Sequence, residues 1–430
     1  MNIYQRCLTP LNTMIMVLIL SQSAFAAPVE LSLDDSIAMA LKNNYDIKYA
    51  KSNREKFYWA AKEAETNKKV SVDYTHTDQR YNTAPSSLSS GYTYTNNFDN
   101  QITLSLPIYS GGKLESQIDQ AKLDLKVADL DIDVAKQQLK GKVVTDYFTV
   151  LEYRNEVQVD QETVNNYIDH LNLVKAKYDI GTVAKTDVLS SQVDLAKAQD
   201  TLIKAQNNHN NAVATLNNAI GLSHGTELQL KDTFKYEKYV LTLEECIKYA
   251  EIHRPEIAQY EAKVTSAHYD EKIARSGYLP QVDFTAAEDW NDTKFAGLEN
   301  NNWLLKLAVS FNVFDSGLTK SKIQQAQHSV DMVRDKAGTE RDSILLDVRQ
   351  YYLSMHEAEK RIDTNQVSVN QAQENVTIEK VRYDVGVGTN IDLLDAVLSL
   401  NSAQKDYIQA LYDYNTNKAK LGEAMGLPVK

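Results

Sequence analysis

Apolar residues recur at alternating spacings of four and three positions along two long stretches of this chain. This heptad pattern is typical of helices that pack side by side as coiled coils. The first stretch follows Gly112 and the second follows Gly317, and neither residues 113–177 nor residues 318–382 contain a proline. We therefore predict two uninterrupted helices, each about 100 Å long at about 1.5 Å per residue.

Each long helix is predicted to stop at a glycine and to turn back. Gly181 and Gly386 end the two heptad stretches in a shared motif, Tyr-Asp followed by Ile or Val and then Gly. Glycine permits the left-handed conformation that ends many helices. Because a polar turn and a second helical stretch follow each motif, we predict two long αα-hairpins, over residues 113–220 and 318–426, with their tips at these glycines.

A period of two replaces the helical pattern in front of each long helix. Apolar and mainly polar residues alternate over residues 102–106 and 303–311, which predicts strands with one apolar face. Each half of the chain offers two such strands around a polar loop. We expect one β-hairpin at about residues 70–107 and another at about residues 280–314.

The apolar face of these strands could lie on a soluble core or on lipid. Trp290 and Trp303 stand where the strands meet the loop, and such aromatic residues are typical of the interface between a membrane and water. Four strands cannot close a barrel, and open strand edges are not tolerated in lipid. Two chains would supply eight strands and little lumen, whereas three chains would supply 12. A conduit through lipid would therefore require the larger barrel of three chains.

The order of elements is written twice. The motif at Tyr178 recurs 205 residues later at Tyr383, and Asp187 recurs at Asp392 with the same offset. Near the start of each copy the offset is 210, so the first copy holds five extra residues, in its β-hairpin loop. We predict two repeats, residues 27–225 and 226–430, each with a helix, a β-hairpin and a long helical hairpin.

The amino terminus has the pattern of a secretory signal. Arg6 precedes an apolar run, and Ala24-Phe25-Ala26 forms a cleavage site between small residues. We therefore predict that residues 1–26 are a signal peptide and that the mature chain is exported. The formal net charge of −12 argues against nucleic acid or anionic lipid as a partner.

Catalytic and ligand-binding motifs are not recognisable in the sequence. The eight histidines are scattered, and no nucleotide-binding loop, nucleophile elbow or zinc-protease motif occurs. Removing the signal leaves Cys246 as the one cysteine, so no intrachain disulfide can form. We expect no enzyme activity, no cofactor and no metal site.

These motifs together resemble the TolC-like outer membrane efflux protein family, over residues 28–430. The resemblance rests on the duplication, on residues 107–112 before the first long helix, and on the hairpin signatures at residues 178–189 and 383–396. It implies a mainly α fold with a β-barrel portion: a homotrimer with a shared 12-stranded barrel in outer-membrane lipid and a helical barrel in the periplasm. It also implies a passive channel that works with a periplasmic adaptor protein and an inner-membrane pump, in efflux or type I secretion.

The resemblance also implies roles for particular residues. Asp392 and Asp395 match acidic rings at the channel constriction, where crowded carboxylates attract cations and have some raised pKa values. Tyr383 matches a tyrosine that helps to hold the entrance shut, but Gly388 stands where the family's best-studied member has an arginine. The tip residues that match the adaptor contact are Ile180, Gly181, Val385 and Gly386.

Two other interpretations remain open at this stage. Asp392 and Asp395 could simply belong to the solvated face of an ordinary helix. The whole chain could be a periplasmic coiled-coil adaptor or structural spacer with a small soluble sheet. Two complete copies in one chain favour the channel, because a periplasmic adaptor usually has one helical hairpin.

Overall fold

A computed structural model describes residues 28–84 and 91–428, so the predicted signal peptide lies outside the described residues. The first half contains β1 (Val29–Leu31), α1 (Leu33–Asn43), α2 (Tyr45–Thr66), β2 (Ser71–Thr83), β3 (Thr93–Tyr109), α3 (Lys113–Asp179) and α4 (Lys185–Ile220). The second half contains β4 (Leu228–Leu230), α5 (Leu243–His253), α6 (Pro255–Arg275), a 3₁₀ turn (Ser276–Tyr278), β5 (Gln281–Asp292), β6 (Asn300–Ser310), α7 (Leu318–Asp384) and α8 (Asn390–Ala424).

The opening helix of each half is broken at a defined residue. Asn44 has extended backbone angles (φ −63°, ψ 139°), and its side chain accepts a 2.7 Å hydrogen bond from the backbone N–H of Asp46, in the first turn of α2. In the second half Arg254 is extended (φ −72°, ψ 119°) in front of Pro255. Proline disfavours helical angles in the residue before it, and it suits the first position of a new helix.

The two long hairpins pack side by side. α3 packs along α4 and α7 packs along α8, while α6 lies against both α3 and α7, and α8 also contacts α3. Both α3 and α7 contain 67 residues, in agreement with the heptad prediction. Within the described parts of the chain, no helix is both long enough and apolar enough to cross a membrane.

Corresponding residues of the two halves form two equivalent cores, about halfway along the long helices. Burying one such aliphatic side chain contributes about 1.5–3 kcal/mol. The first core is centred on Leu139, Val143, Val150, Leu216 and Ile220, and the second on Ile344, Val348, Met355, Leu421 and Met425. Each member of the second set lies 205 residues after its counterpart in the first, so the duplication in sequence is a duplication in packing.

The four long strands form one antiparallel sheet in the order β2-β3-β5-β6. Its register places Val72 opposite Leu104, Leu104 opposite Ala286, and Ala286 opposite Leu305. Because residues opposite each other share a face, this row and its neighbours give the sheet one apolar face. The pairing of β3 with β5 joins the two halves, and β2 and β6 are the two edges.

Strand β6 is shorter than its alternating sequence predicted. It ends at Ser310, which pairs with Gln281, the first residue of β5. Pro280 precedes that residue and has no N–H to donate to a ladder. The apolar residues beyond it, Phe311 and Val313, are 57% and 86% exposed because their own sheet offers them no partner strand.

Candidate functional site

The tips of the two helical hairpins lie together and are built in the same way. Gly181 (φ +74°) and Gly386 (φ +81°) have left-handed backbone angles that only glycine adopts without strain. The chain reverses there through matching hydrogen bonds, from Thr182 N to Lys177 O and from Val387 N to Arg382 O, both 2.9 Å. These are the tips that the Tyr-Asp-Ile/Val-Gly motif predicted.

The tip residues expose large apolar side chains. Ile180 is 74% exposed and Val385 is 68% exposed, at the positions proposed for adaptor contact. Val387 and Ile391, which are not among the tip residues predicted from the sequence, are 70% and 65% exposed. An exposed apolar patch of this kind is typical of a surface that binds another protein.

Asp392 and Asp395 lie exposed on the first turns of α8. The Asp392 carboxylate accepts a 3.1 Å hydrogen bond from the backbone N–H of Thr389, whose hydroxyl accepts one from Asp392 N. The hydrogen bonds from the side chain and then the backbone of Thr389 lower the pKa of Asp392. In a single chain, therefore, Thr389 is the N-cap of α8 and the charged Asp392 completes a capping box with it. A rise in carboxylate pKa from crowding stays a prediction for an assembled ring.

Tyr383 is buried between the two hairpins and does not face solvent with the acidic pair. It is 4% exposed, and its hydroxyl has no hydrogen-bond partner among the described residues. Lys177 donates a 2.6 Å hydrogen bond to the Tyr383 carbonyl and lies over its ring. Burial, followed by the nearby carboxylates of Asp187 and Asp384, raises the pKa of Tyr383.

A buried polar cluster beside Tyr383 takes one residue from each of the four tip helices. His170 of α3, Ser191 of α4, Tyr383 of α7 and Asn390 of α8 are each less than one-tenth exposed. The Asn390 side-chain oxygen forms hydrogen bonds with His170 Nε2 and, at 3.4 Å, with the Ser191 hydroxyl. Sequence reasoning missed this cluster, although a histidine on the helix face of the buried residues Tyr167 and Val174 could have signalled it.

The apolar face of the sheet is exposed to the surroundings. Trp303 is 72% exposed, and Leu305, Leu307 and Val309 are 62–65% exposed on the same edge strand. Trp290 lies two residue pairs nearer the loop than Trp303, opposite Asn301, and is half-buried. The structure thus places both tryptophans at the loop end of the apolar face, and it brings no group of three metal-ligating side chains together in residues 28–84 and 91–428.

The sequence model of one protein family, described as outer membrane efflux protein, matches residues 36–222 and 246–427. The chain belongs to the outer membrane efflux protein family. The two matched segments correspond to the two copies seen in the sequence and in the cores. The family is one of passive outer-membrane channels, and the predicted family, channel function and outer-membrane location are confirmed.

Individual relatives agree with this assignment. The chain is 24% identical over 363 residues to the outer membrane protein TolC of Escherichia coli, covering 79% of this chain and 73% of TolC. It is 23% identical over 417 residues to the toluene efflux pump outer membrane protein TtgF of Pseudomonas putida, covering 94% and 84%. The Campylobacter jejuni CmeC outer membrane channel superposes with a TM-score of 0.80 at 18% identity, covering 92% of this chain and 85% of CmeC. The predicted fold class, mainly α with a β portion, is confirmed, whereas the trimer and the shared 12-stranded barrel stay predictions.

Proposed function

We propose that three copies of this chain form a continuous outer-membrane duct that passively conducts substrates delivered by an inner-membrane pump through a periplasmic adaptor, in efflux or type I secretion. The two repeats, residues 27–225 and 226–430, would then act as six similar units around one axis. The observation that carries the proposal is a sheet with an exposed apolar face and two unpaired edges, β2 and β6.

The two open edges fit each other. Strand β5 repeats β2 with an offset of 210 residues, and β6 repeats β3 with an offset of 205. If the pairing of β3 with β5 is repeated between copies, β6 of one copy pairs with β2 of the next. That register places Val309 opposite His76 and Phe311 opposite Tyr74, and beyond the bulge that β3 has between Pro107 and Tyr109 it places Phe314 opposite Val72. Two of these three pairs join apolar residues that are exposed in a single chain.

This pairing also accounts for the short strand β6. In the next copy β2 begins at Ser71, so it would offer a partner to residues 311–314, which β5 of the same chain does not. Residues 311–314, which the alternating sequence predicted as part of the strand, would then become strand only when the copies assemble. Closure removes both edges, as lipid requires, and three copies supply 12 strands, enough for a lumen.

The helices support the same arrangement. α6 lies between α3 and α7, whereas its counterpart α2 packs on α3 and leaves Tyr45, Tyr49 and Trp59 81%, 75% and 67% exposed. Repeating the contact between the two halves across a subunit boundary would cover α2 with α7 of the neighbouring copy. Exposed aromatic residues on one side of a helix are typical of such an interface.

The tips would form the periplasmic entrance of the duct. Asp392 and Asp395 from three copies would give six carboxylates around the axis, and Tyr383 would help to hold the closed arrangement. The adaptor would contact Ile180, Gly181, Val385 and Gly386, whose surroundings are apolar and exposed. Trp290 and Trp303 would lie at the outer interface of the membrane, where amphipathic aromatic rings are stable.

Fractionation and conductance of the purified protein test this proposal. The mature chain should be found in the outer-membrane fraction, migrate in detergent as a trimer and produce single-channel currents in planar bilayers. A monomer that is freely soluble without detergent and gives no current would contradict it, and would favour the periplasmic spacer or adaptor instead.

A further inference from the structure

His170 is the centre of the polar cluster that joins the two hairpin tips. It is 7% exposed, and its Nε2 meets the side-chain oxygen of Asn390, which belongs to the opposite hairpin. An amide oxygen only accepts hydrogen bonds, so Nε2 carries a proton and donates it to Asn390. Nδ1 is buried and has no hydrogen-bond partner in the described part of the chain. In the neutral ring the one N–H, on Nε2, therefore has its acceptor. A second proton, on Nδ1, would create a buried N–H that has no acceptor.

Charged and titratable groups act on the ring from two of the four helices, and one on a third helix acts on its neighbour Tyr383. The positive charge of Lys177 on α3 disfavours protonation of His170, while the negative charge of Asp384 on α7 favours it. The Tyr383 ring lies 5.1 Å from the His170 ring, and Asp187 of α4 acts on that tyrosine. From α8 the facing group is the neutral Asn390. Burial, the largest influence, lowers the pKa of His170.

Position 388, next to these contacts, is a glycine. The family's best-studied member has an arginine there, and a Cβ at Gly388 would lie 3.0–3.1 Å from atoms of Tyr383 and Arg382. The neighbouring backbone would have to shift to admit any larger residue. In this chain the polar contacts described between the hairpins near the tip are those of His170 and Ser191 with Asn390, and of Lys177 with Tyr383.

We propose that neutral His170 pins the tip of the α7–α8 hairpin to the α3–α4 hairpin, and that protonating His170 releases the pin and opens the channel entrance. The proposal rests on the proposed channel function, which it extends to regulation. Protonation puts a charge and an unpaired N–H into a buried site beside Lys177, both of which are costly. This free-energy cost falls when α8 moves away and water reaches the ring.

Conductance at different pH values tests the proposal in the full trimer. Acidifying the compartment on the tip side from about pH 7.5 to about pH 5, across the range in which histidines titrate, should raise the open probability of the wild type. One linked proton per protomer allows at most about a tenfold change per pH unit in the open–closed equilibrium of each protomer. His170→Gln keeps an N–H for Asn390 but does not titrate, so its open probability should change much less with pH. His170→Ala should be more open at every pH.

His328→Gln is the matched control, because His328 is an exposed histidine of the same bundle, near the sheet end of α7. It should keep the wild-type response. A response in His170→Gln equal to that of the wild type would overturn the proposal.

Thiol labelling separates this proposal from the channel function itself. In a Cys246→Ala background, Val174→Cys places a thiol at a fully buried position one turn from His170. Its methanethiosulfonate labelling rate, divided by that of the exposed position in Asp200→Cys, should rise on acidification with His170 and not with His170→Gln. An equal change of this ratio with His170 and with His170→Gln would refute the role of His170 as a pin. If no variant gives channel currents but the labelling ratio still rises on acidification only with His170, the channel function is refuted and the pin is supported.

Discussion

Lys177 donates a 2.6 Å hydrogen bond to the backbone carbonyl of Tyr383, and its ammonium group lies 4.2 Å from the centre of the Tyr383 ring. One side chain of the α3–α4 hairpin thus holds both the main chain and the ring of the α7–α8 hairpin. Hydrogen bonds from charged groups contribute about 1.5–3 kcal/mol when they are shielded from water, and Lys177 is only partly exposed.

Lys177→Met should therefore loosen the closed tip. The methionine keeps most of the apolar stem but cannot donate to the Tyr383 carbonyl, so we expect a higher open probability in planar bilayers with an unchanged trimer. Lys175→Met, on an exposed neighbouring position, is the control and should behave as the wild type. A Lys177→Met channel as closed as the wild type would show that the contact does not hold the tip.

The acidic pair at the start of α8 should determine ion preference. Asp392→Asn combined with Asp395→Asn removes six charges from the proposed ring, so cation preference and block by multivalent cations should both fall. Reversal potentials in a salt gradient measure the first, and current block measures the second. Asp200→Asn removes an exposed carboxylate from α4 and should change neither. Unchanged selectivity in the double variant would leave both aspartates as ordinary solvated residues.

The left-handed glycine at the second tip should matter for export more than for assembly. Gly386 has φ +81° and donates its N–H to Tyr383 O, whereas proline requires a φ near −65° and has no N–H. Gly386→Pro should distort the adaptor-binding tip and impair export, while the trimer persists because its sheet and cores lie far away. Gly386→Ala, with a strain of about 1–2 kcal/mol, should give a weaker defect. Loss of the trimer would make the tip a folding element instead.

Glu152 should make stability depend on pH. It is 6% exposed on α3, and burial, with smaller contributions from Glu156 and Asp413, raises its pKa from 4.5 to about 8. The folded state holds this proton between those two values and the unfolded state does not, so stability falls as the pH rises through that range.

Glu152→Gln should remove that part of the pH dependence. The Tm of the variant, measured from pH 4.5 to pH 8, should decline less steeply than that of the wild type. Glu162→Gln, on an exposed position of the same helix, should keep the wild-type slope. Equal slopes in the wild type and Glu152→Gln would mean that Glu152 is hydrated in the assembled protein.

The sequence predicted the long helices and their tips well, because a heptad repeat and a terminal glycine are local signals. It predicted the existence of the strands but not the end of β6, because that end depends on a pairing partner. The sequence could have signalled that His170 lies on the buried face of α3, but not that Asn390 is its partner, since that contact requires α8 to lie against α3. The repeat boundary between residues 225 and 226 and the roles of the tip residues stay predictions.

Disulfide cross-linking of neighbouring copies tests the shared barrel most directly. With Cys246→Ala as background, His76→Cys combined with Val309→Cys should place two thiols opposite each other across the proposed β6–β2 seam, at the Cα separation of about 4.5–5.5 Å that antiparallel pairs have and disulfides accept. Thr77→Cys with Val309→Cys puts the thiols on opposite faces and is the control. Oxidation should convert the first pair, and not the second, into covalent trimers on a non-reducing gel. Equal cross-linking by both pairs, or by neither in protein that is trimeric in detergent, would contradict the barrel that we propose.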